Sequence, residues 1–410
     1  MAAMRAMHLA ATVVMTLMVP ATLVMTLMDG VTGEGGAELP YLQCAPPQRP
    51  GELSEADRVS LRTKLVAATK QFKQMGGPWR MFKNQTVLDV GMGQGPIGVA
   101  ALEAGVGTYT GLDPALCIEK QAMTHDKSVA HMTDGASCFK PCKLPRSPAC
   151  TSCQRKMSSK YRLFPFTGKD MMAAYNDNNH ARLVLLPGTF ESIGAKQEEL
   201  QRLRLLLPGT YDVATLITVT EHLPNNFEVL RGIYNWTTPG TRLYVDHHNY
   251  YSFRGHHRDP DRPSLIDKTN PYHRDHAFWK HLKPTSISYR DNNLNRVRLG
   301  DLAAAIATYF EKCKYTAIPT KELQQTRELL VRGGDQSILN DLQRRGFSRV
   351  ELLVDHVHFH CERRSVPASS SDLQRRWRLH HPPTDGSYTP TALPRELRKV
   401  LAETVTSGRG

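Results

Sequence analysis

Asp89-Val90-Gly91-Met92-Gly93-Gln94-Gly95 follows directly on the apolar run Thr86-Val87-Leu88, and this junction decides how the chain folds. An apolar run that stops at a glycine reads as a buried strand delivering its end to a tight turn. Glycines at alternate positions let the backbone turn sharply and approach a ligand closely. Pro96 stands where a helix would open and Gly105 where it would close, so residues 96–104 are expected to be helical. The free amides and positive end of that helix then face the same turn.

A second strand at 108–112 ending at Asp113 completes a βαβ unit and predicts a parallel sheet. Further strands are expected at 182–186, 212–218 and 242–246, with helices at 196–206 and 224–234 between them. Upstream, Ser54 caps a helix that runs to about residue 75 with Asp57 in its first turn. Toward the C-terminus, 302–310 reads as a helix. Residues 350–354 and 357–361 read as two strands joined around Asp355-His356, an antiparallel hairpin at the sheet edge. The fold class expected is α/β, doubly wound and mainly parallel.

Two stretches, 114–181 and 247–299, exceed the roughly 12–15 residues of a simple connection. Both leave the C-terminal ends of strands, the side on which open α/β sheets bind ligands. The second opens with His247-His248-Asn249-Tyr250-Tyr251-Ser252-Phe253-Arg254-Gly255-His256-His257. Its imidazoles, aromatics and arginine suit a sugar, a phenol or an anionic small molecule, so 247–299 is expected to cover the substrate. A metal bound by Asp246 and these histidines is a weaker alternative, because the pairs lack the helical spacing that puts two imidazoles on one face.

The glycines alone leave two cofactors open. Gly93, Gly95 and Gly98 satisfy the G-x-G-x-x-G pattern of dinucleotide sites, and Asp113 would hold a ribose in either class. Asp89 separates them, since a carboxylate two residues before the first glycine is out of place beside a pyrophosphate but can organise the amino-acid end of S-adenosylmethionine. Val87 to Gly95 resembles the first motif of the class I S-adenosylmethionine-dependent methyltransferase family, and Gly111-Leu112-Asp113 resembles its acidic strand end. Tyr211-Asp212-Val213-Ala214 through Thr220-Glu221-His222-Leu223 resembles its fourth-strand region.

The resemblance covers roughly residues 85–363, interrupted by both long stretches. It implies a Rossmann-like seven-stranded sheet, S-adenosylmethionine as cofactor and methyl transfer as the activity. It also implies that Gly91, Gly93 and Gly95 line the methionine moiety, that Asp113 holds the ribose hydroxyls, and that the turn at Thr189-Phe190-Glu191 packs by the adenine. A sulfonium methyl is already activated, so the protein's task is to align a nucleophile and exclude water.

A base is needed only for an acceptor that is protonated at working pH. Glu221 and His222 after the fourth strand, and His247, His248 and Tyr250 at and beyond the end of the fifth, are the candidates; histidine accepts a proton near neutrality. Their plainer roles are capping the helix near Pro224 and bonding loop backbone. A small-molecule or glycan acceptor, methylated on oxygen, is the expected substrate. An NAD(P)-dependent oxidoreductase and a non-catalytic protein that binds nucleic acid or an anionic surface are the competing functions.

The net charge of +13 favours an anionic partner, but arginines at 363, 364, 375, 376, 378, 395, 398 and 409 place much of it at the C-terminal end. Residues 364–410 are therefore expected as a basic, disordered tail. No stretch shows the aromatic pattern of an RNA-recognition motif, so nucleic acid is not an expected partner.

At the other end, Arg5 is the one firm charge before an apolar run at 9–28. That run approaches the roughly 20 residues of a membrane span, with Pro20 in its middle, and reads as a signal peptide or signal anchor. Residues 29–52 follow as a Gly- and Pro-rich linker, and 53–363 as the methyltransferase domain. This places the protein in the secretory pathway or on a membrane, and in the cytoplasm if the run is not a targeting segment. Among eight cysteines, Cys138, Cys142, Cys150 and Cys153 cluster with spacing open to zinc or to disulfides, and a lumenal setting favours disulfides.

Overall fold

Helix α1 (Glu55–Thr69) opens on Ser54, whose hydroxyl accepts the Asp57 amide at 3.2 Å and donates to its carboxylate at 2.6 Å. Strand β1 (Thr86–Val90) turns at Gly91 into α2 (Pro96–Glu103), with Gly105 just past the helix end at φ +106°. β2 (Thr108–Asp113) then pairs parallel to β1. The first long stretch carries an antiparallel ribbon of β3 (Gln121–His125) and β4 (Tyr161–Thr167), and α3 (Gly168–Tyr175) capped by Thr167.

Then come β5 (Leu183–Pro187), α4 (Phe190–Gly194), β6 (Val213–Ile217), α5 (Asn226–Trp236) and β7 (Arg242–His248). The last part holds α6 (Leu299–Tyr309), β8 (Phe310–Pro319), α7 (Leu323–Glu328), α8 (Gln336–Arg344), β9 (Val354–Arg363) and α9 (Arg395–Ser407).

The computed structural model describes residues 53–69, 78–93, 95–114, 116, 118, 121–125, 161–177, 180–194, 207–256, 260–271, 273, 277–283, 294–333, 336–368 and 391–407. All belong to Leu42–Gly410, the second of two units into which the chain divides. The expected targeting run at 9–28, the linker at 29–52, the helix at 196–206 and the cluster Cys138, Cys142, Cys150 and Cys153 lie outside the described residues. Among the described residues, no helix is long and apolar enough to cross a membrane.

Seven strands form one sheet in the order β5-β2-β1-β6-β7-β9-β8, with β5 to β7 parallel and β9 antiparallel to both its neighbours. This is the expected doubly wound, mainly parallel sheet of a Rossmann-like methyltransferase fold. The strand order reverses between β1 and β6, which opens a crevice at their C-terminal ends. Alternation splits the core. Leu88, Val90, Ala214, Leu216, Leu243 and Val245 pack toward α5, α6 and α9, while Val87, Tyr109, Leu183, Val213 and Tyr244 pack toward α1, α2 and α3.

The C-terminal hairpin is built differently from expectation. Residues 350–361 are not two strands: β9 runs unbroken through Asp355-His356, with Val357, Phe359 and Cys361 inward and His356, His358 and His360 on the other face. A period-2 run of this kind needs no turn. The other arm is β8, which the sequence hides because a bulge at Lys312 (φ +53°) puts Phe310 and Cys313 out of phase. A disulfide joins Cys313 to Cys361 across the two arms.

The tail also needs correction. Residues 395–407 form α9, whose Leu397, Leu401 and Val405 repeat every four residues and are buried in the core. Its arginines and lysine spread around that apolar stripe and conceal it in bulk composition.

Asp89 ties the centre of the sheet together. It is buried on β1, and its two carboxylate oxygens accept from Thr215 Oγ1 of β6 and Tyr109 Oη of β2, both at 2.6 Å. Gly111 faces Asp89 across the ladder, and a Cβ there would fall 1.9 Å from Met92 Sδ and 2.9 Å from the Tyr109 ring. Only glycine leaves room there for Met92 and for the Tyr109 ring whose hydroxyl bonds the carboxylate. Gly98, the last glycine of the dinucleotide-like pattern, serves packing: a Cβ would meet Leu183 at 2.7 Å and Tyr109 at 2.8 Å.

Burial pushes the Asp89 carboxyl up to about 6 from its ordinary 3.8, against the two hydroxyl donors. The folded state thus keeps a proton that the unfolded chain releases. Stability from this group is full below about pH 3.8 and is lost as pH rises through about 6, a change on the order of 3 kcal/mol. Asp89→Asn can satisfy both hydroxyls without a charge, and it is expected to flatten the fall in urea-unfolding stability across that window. An unchanged pH slope would remove Asp89 as its source. For α9, Leu401→Ala is expected to lower stability by about 2–4 kcal/mol, with exposed Glu403→Ala near neutral. Equal midpoints for the two variants would mean that the helix does not dock.

Candidate active site

The turn after β1 is shaped by two glycines in the left-handed region, Gly91 at φ +75° and Gly93 at φ +70°. At Gly91 a Cβ would collide with Val219 at 2.2 Å, so the loop after β6 rests directly under the turn. At Gly93 a Cβ would meet nothing within 4 Å, so this glycine faces open space. The Gly93 amide donates to Asp113 Oδ2 at 2.7 Å, joining the turn to the acid at the end of β2. Gly95 begins α2 above Met171 and Leu185.

These features fit S-adenosylmethionine. Open space at Gly93 suits a ligand lying along the backbone, and Asp113 presents a carboxylate at the strand end where a ribose diol is recognised. Asp89 sits deeper than its sequence position suggests, with Tyr109 and Thr215 as its partners. Phe190 is turned into the core: its ring packs on Trp236 at 5.1 Å, and a Cβ on Gly232 would lie 2.3 Å from it. It is therefore a clamp between α4 and α5 rather than an adenine platform. Glu191 lies in α4, and its side chain is outside the described residues.

The loop after β6 brings Thr220, Glu221 and His222 to the crevice. Asn225 caps α5 by accepting the Phe227 and Glu228 amides, which leaves Glu221 and His222 out of the capping role. Glu221 is 1% exposed and burial raises its carboxyl above the ordinary value. Its Oε2 accepts from Thr220 Oγ1 at 3.3 Å, and its Oε1 lies 4.0 Å from His222 Nε2. The turn is pinned from outside: the Asn295 side chain donates to the carbonyls of Thr220 at 2.6 Å and Leu223 at 2.7 Å, and its amide donates to Glu221 at 2.7 Å.

His247 and His248 end β7 on opposite faces. His247 is fully buried, its Nδ1 lies 2.8 Å from Thr220 Oγ1, and burial pushes it down to about 3, so it stays neutral. His248 stacks on His356 with ring centroids 4.8 Å apart. Among the described residues beyond them, the aromatics do not line an open pocket as expected. Tyr250, Tyr251, Phe253 and Trp279 are buried in the core, and the Asn249 side chain donates to the Glu351 and Val354 carbonyls. Among the described residues, no group of His, Cys, Asp or Glu is arranged to hold a metal ion.

Three contributors escape the sequence patterns. Thr220 and Asn295 each act through several hydrogen bonds that no residue spacing announces, and His356 arrives from β9, 110 positions after its partner Asp246. The period-2 histidines of β9 were the available signal.

A family model described as a methyltransferase domain matches residues 58–290, more than half of the chain. Among curated proteins none matches. Solved structures that resemble the chain include an S-adenosylmethionine-dependent methyltransferase from Mesorhizobium loti, at 12% identity, with 69% of this chain and 92% of that one covered and a TM-score of 0.31. An O-methyltransferase from Bacillus cereus in complex with SAH is similar at 11% identity, with 76% and 92% covered and a TM-score of 0.28. At that level neither bears on acceptor or mechanism. The glycine turn, the acid at the end of β2 and the matched domain agree, and the chain belongs to the class I S-adenosylmethionine-dependent methyltransferases.

Proposed function

We propose that this methyltransferase acts on oxygen, with a small polar molecule or a glycan as acceptor. Glu221 carries the reading. It is a carboxyl buried at the crevice, raised by that burial, and set 4.0 Å from His222. An amine or thioether with a free lone pair would need no proton acceptor, whereas a hydroxyl does. His222, His247 and His248 surround the same strand ends and belong to the same candidate set.

In this reading Gly91, Gly93 and Gly95 hold the methionine part of the cofactor and Asp113 the ribose. Asp89 acts from beneath, fixing the turn. Bound there, S-adenosylmethionine supplies an activated methyl on a sulfonium. The protein's own residues orient the acceptor, keep water out and take its proton. A secretory or membrane-anchored setting, with 9–28 as the targeting segment, is supported by the Cys313–Cys361 disulfide, since such bonds persist in oxidising compartments.

Calorimetric titration of the purified protein tests the cofactor site. S-adenosylmethionine and S-adenosylhomocysteine are expected to bind and NAD is not. Asp113→Ala should weaken binding roughly tenfold to a hundredfold with an unchanged circular dichroism spectrum. Gly93→Ala should weaken it as well, because the new methyl enters the open space at a strained φ. Unchanged affinity in both variants would remove this turn as the cofactor site. Release of S-adenosylhomocysteine with hydroxyl compounds but not amines would support the oxygen acceptor.

A further inference from the structure

β9 enters the sheet beside the C-terminal end of β7, so its first residues stand at the crevice. His356 faces His248 across the ladder and His358 faces Asp246. Asp246 Oδ1 lies 2.8 Å from His356 Nδ1 and 3.5 Å from His358 Nε2. Burial pushes the Asp246 carboxyl up, but the two imidazoles outweigh burial and hold it well below the usual carboxylate range. An ionised carboxylate only accepts hydrogen bonds, so Nδ1 of His356 is the nitrogen that carries the proton. Nε2, on the far side of the ring, is then left with its lone pair.

We propose that His356 is the general base of methyl transfer, oriented by Asp246, and that the acceptor presents it with a hydroxyl. This rests on the oxygen-methylation reading and names the group that carries it out. The loop after β6 connects the two halves of the site. Val219 stands under Gly91, and two residues on, the Glu221 carboxylate senses the charge of His356. His247 is the poorer base, being fully enclosed, whereas the His356 side chain is 22% exposed.

In the step, the acceptor O–H bond breaks as its proton passes to Nε2 of His356. The oxygen's electron pair forms the new O–CH3 bond, and the S–CH3 bond of the donor breaks with its pair returning to sulfur. The imidazolium keeps its Nδ1–H on Asp246, and the proton leaves to solvent after product release. Asp246 is a positioning residue that touches no substrate.

Charged and titratable groups face His356 from every side but one. Asp246, His247 and His248 come from β7, Asp355 and His358 from its own strand, and Glu221 from the loop after β6; β8 offers Ile318 across the ladder. Burial lowers the imidazole, but the hydrogen bond and charge of Asp246, followed by Asp355 and Glu221, raise it above 6.5 on balance. The base must be neutral, so activity should rise with pH through that raised value.

Nitrogen-15 spectra of the full chain with S-adenosylhomocysteine bound test the arrangement without an acceptor. His356 is expected as the Nδ1–H tautomer titrating above 6.5, and at lower pH in Asp246→Asn than in the wild type. With a panel of phenols, catechols and hexoses, S-adenosylhomocysteine release should fall about 10²–10⁴-fold in kcat for His356→Gln. Asp246→Asn should lose less and move the acid limb to lower pH. An Nε2–H tautomer, or a His356→Gln enzyme with the wild-type rate and profile, overturns the base while leaving oxygen methylation standing. Methylation of amines alone, with the tautomer as expected, overturns the oxygen acceptor and the base with it.

Discussion

A carboxyl enclosed among three parallel strands sets the position of everything above it. Asp89 is held by a hydroxyl from each neighbouring strand, Tyr109 on β2 and Thr215 on β6. Those bonds fix the relative height of the three strand ends from which the glycine turn, Asp113 and the Glu221 loop depart. Burying an acid costs free energy unless its oxygens are satisfied, and the raised value near 6 shows the cost is only partly offset. The strand ends therefore sit in a defined register at some expense of stability at neutral pH.

Two acids placed 24 positions apart then divide the work at the turn. Asp89 lies inside, bonded to side chains of the sheet, while Asp113 lies at the rim and accepts the Gly93 amide. Sequence order alone made Asp89 the ligand-facing residue, because its partners are 20 and 126 positions away and leave no local trace. The neighbouring strands, the turn and the order of the parallel sheet were legible, since each depends on short apolar runs and glycine punctuation. Chain segments whose signal is out of phase were not. β8 carries a bulge, and the stripe of α9 is diluted by basic residues.

The stretch after β7 shows why composition misleads about location. Histidine, tyrosine and asparagine read as a polar lining, yet here several of the polar ends find backbone partners indoors. Tyr251 donates to the Arg296 carbonyl at 2.9 Å, and His281 Nε2 lies 3.1 Å from the Tyr250 carbonyl. Once those tips are satisfied, the rings behave as core aromatics. What the stretch gives the site comes from its far end, where Asn295 fixes the turn that bears Glu221.

Around that turn, two carboxyls in different surroundings acquire opposite habits. Burial dominates at Glu221 and raises its carboxyl, whereas His356 and His358 keep Asp246 ionised. Environments that push two acids apart are a usual way of assigning them separate tasks on one fold. A permanently ionised Asp246 can hold an imidazole in one tautomer throughout a proton transfer. Glu221 and His356 act on each other through their charges: the imidazolium favours the ionised carboxylate, and the carboxylate favours the imidazolium. The cluster is assembled by β9 lying antiparallel between β7 and β8, which brings a strand start, rather than a strand end, to the crevice beside β7. The one reversed strand in the sheet is thus what brings histidines from the end of the sequence to the site that its middle builds.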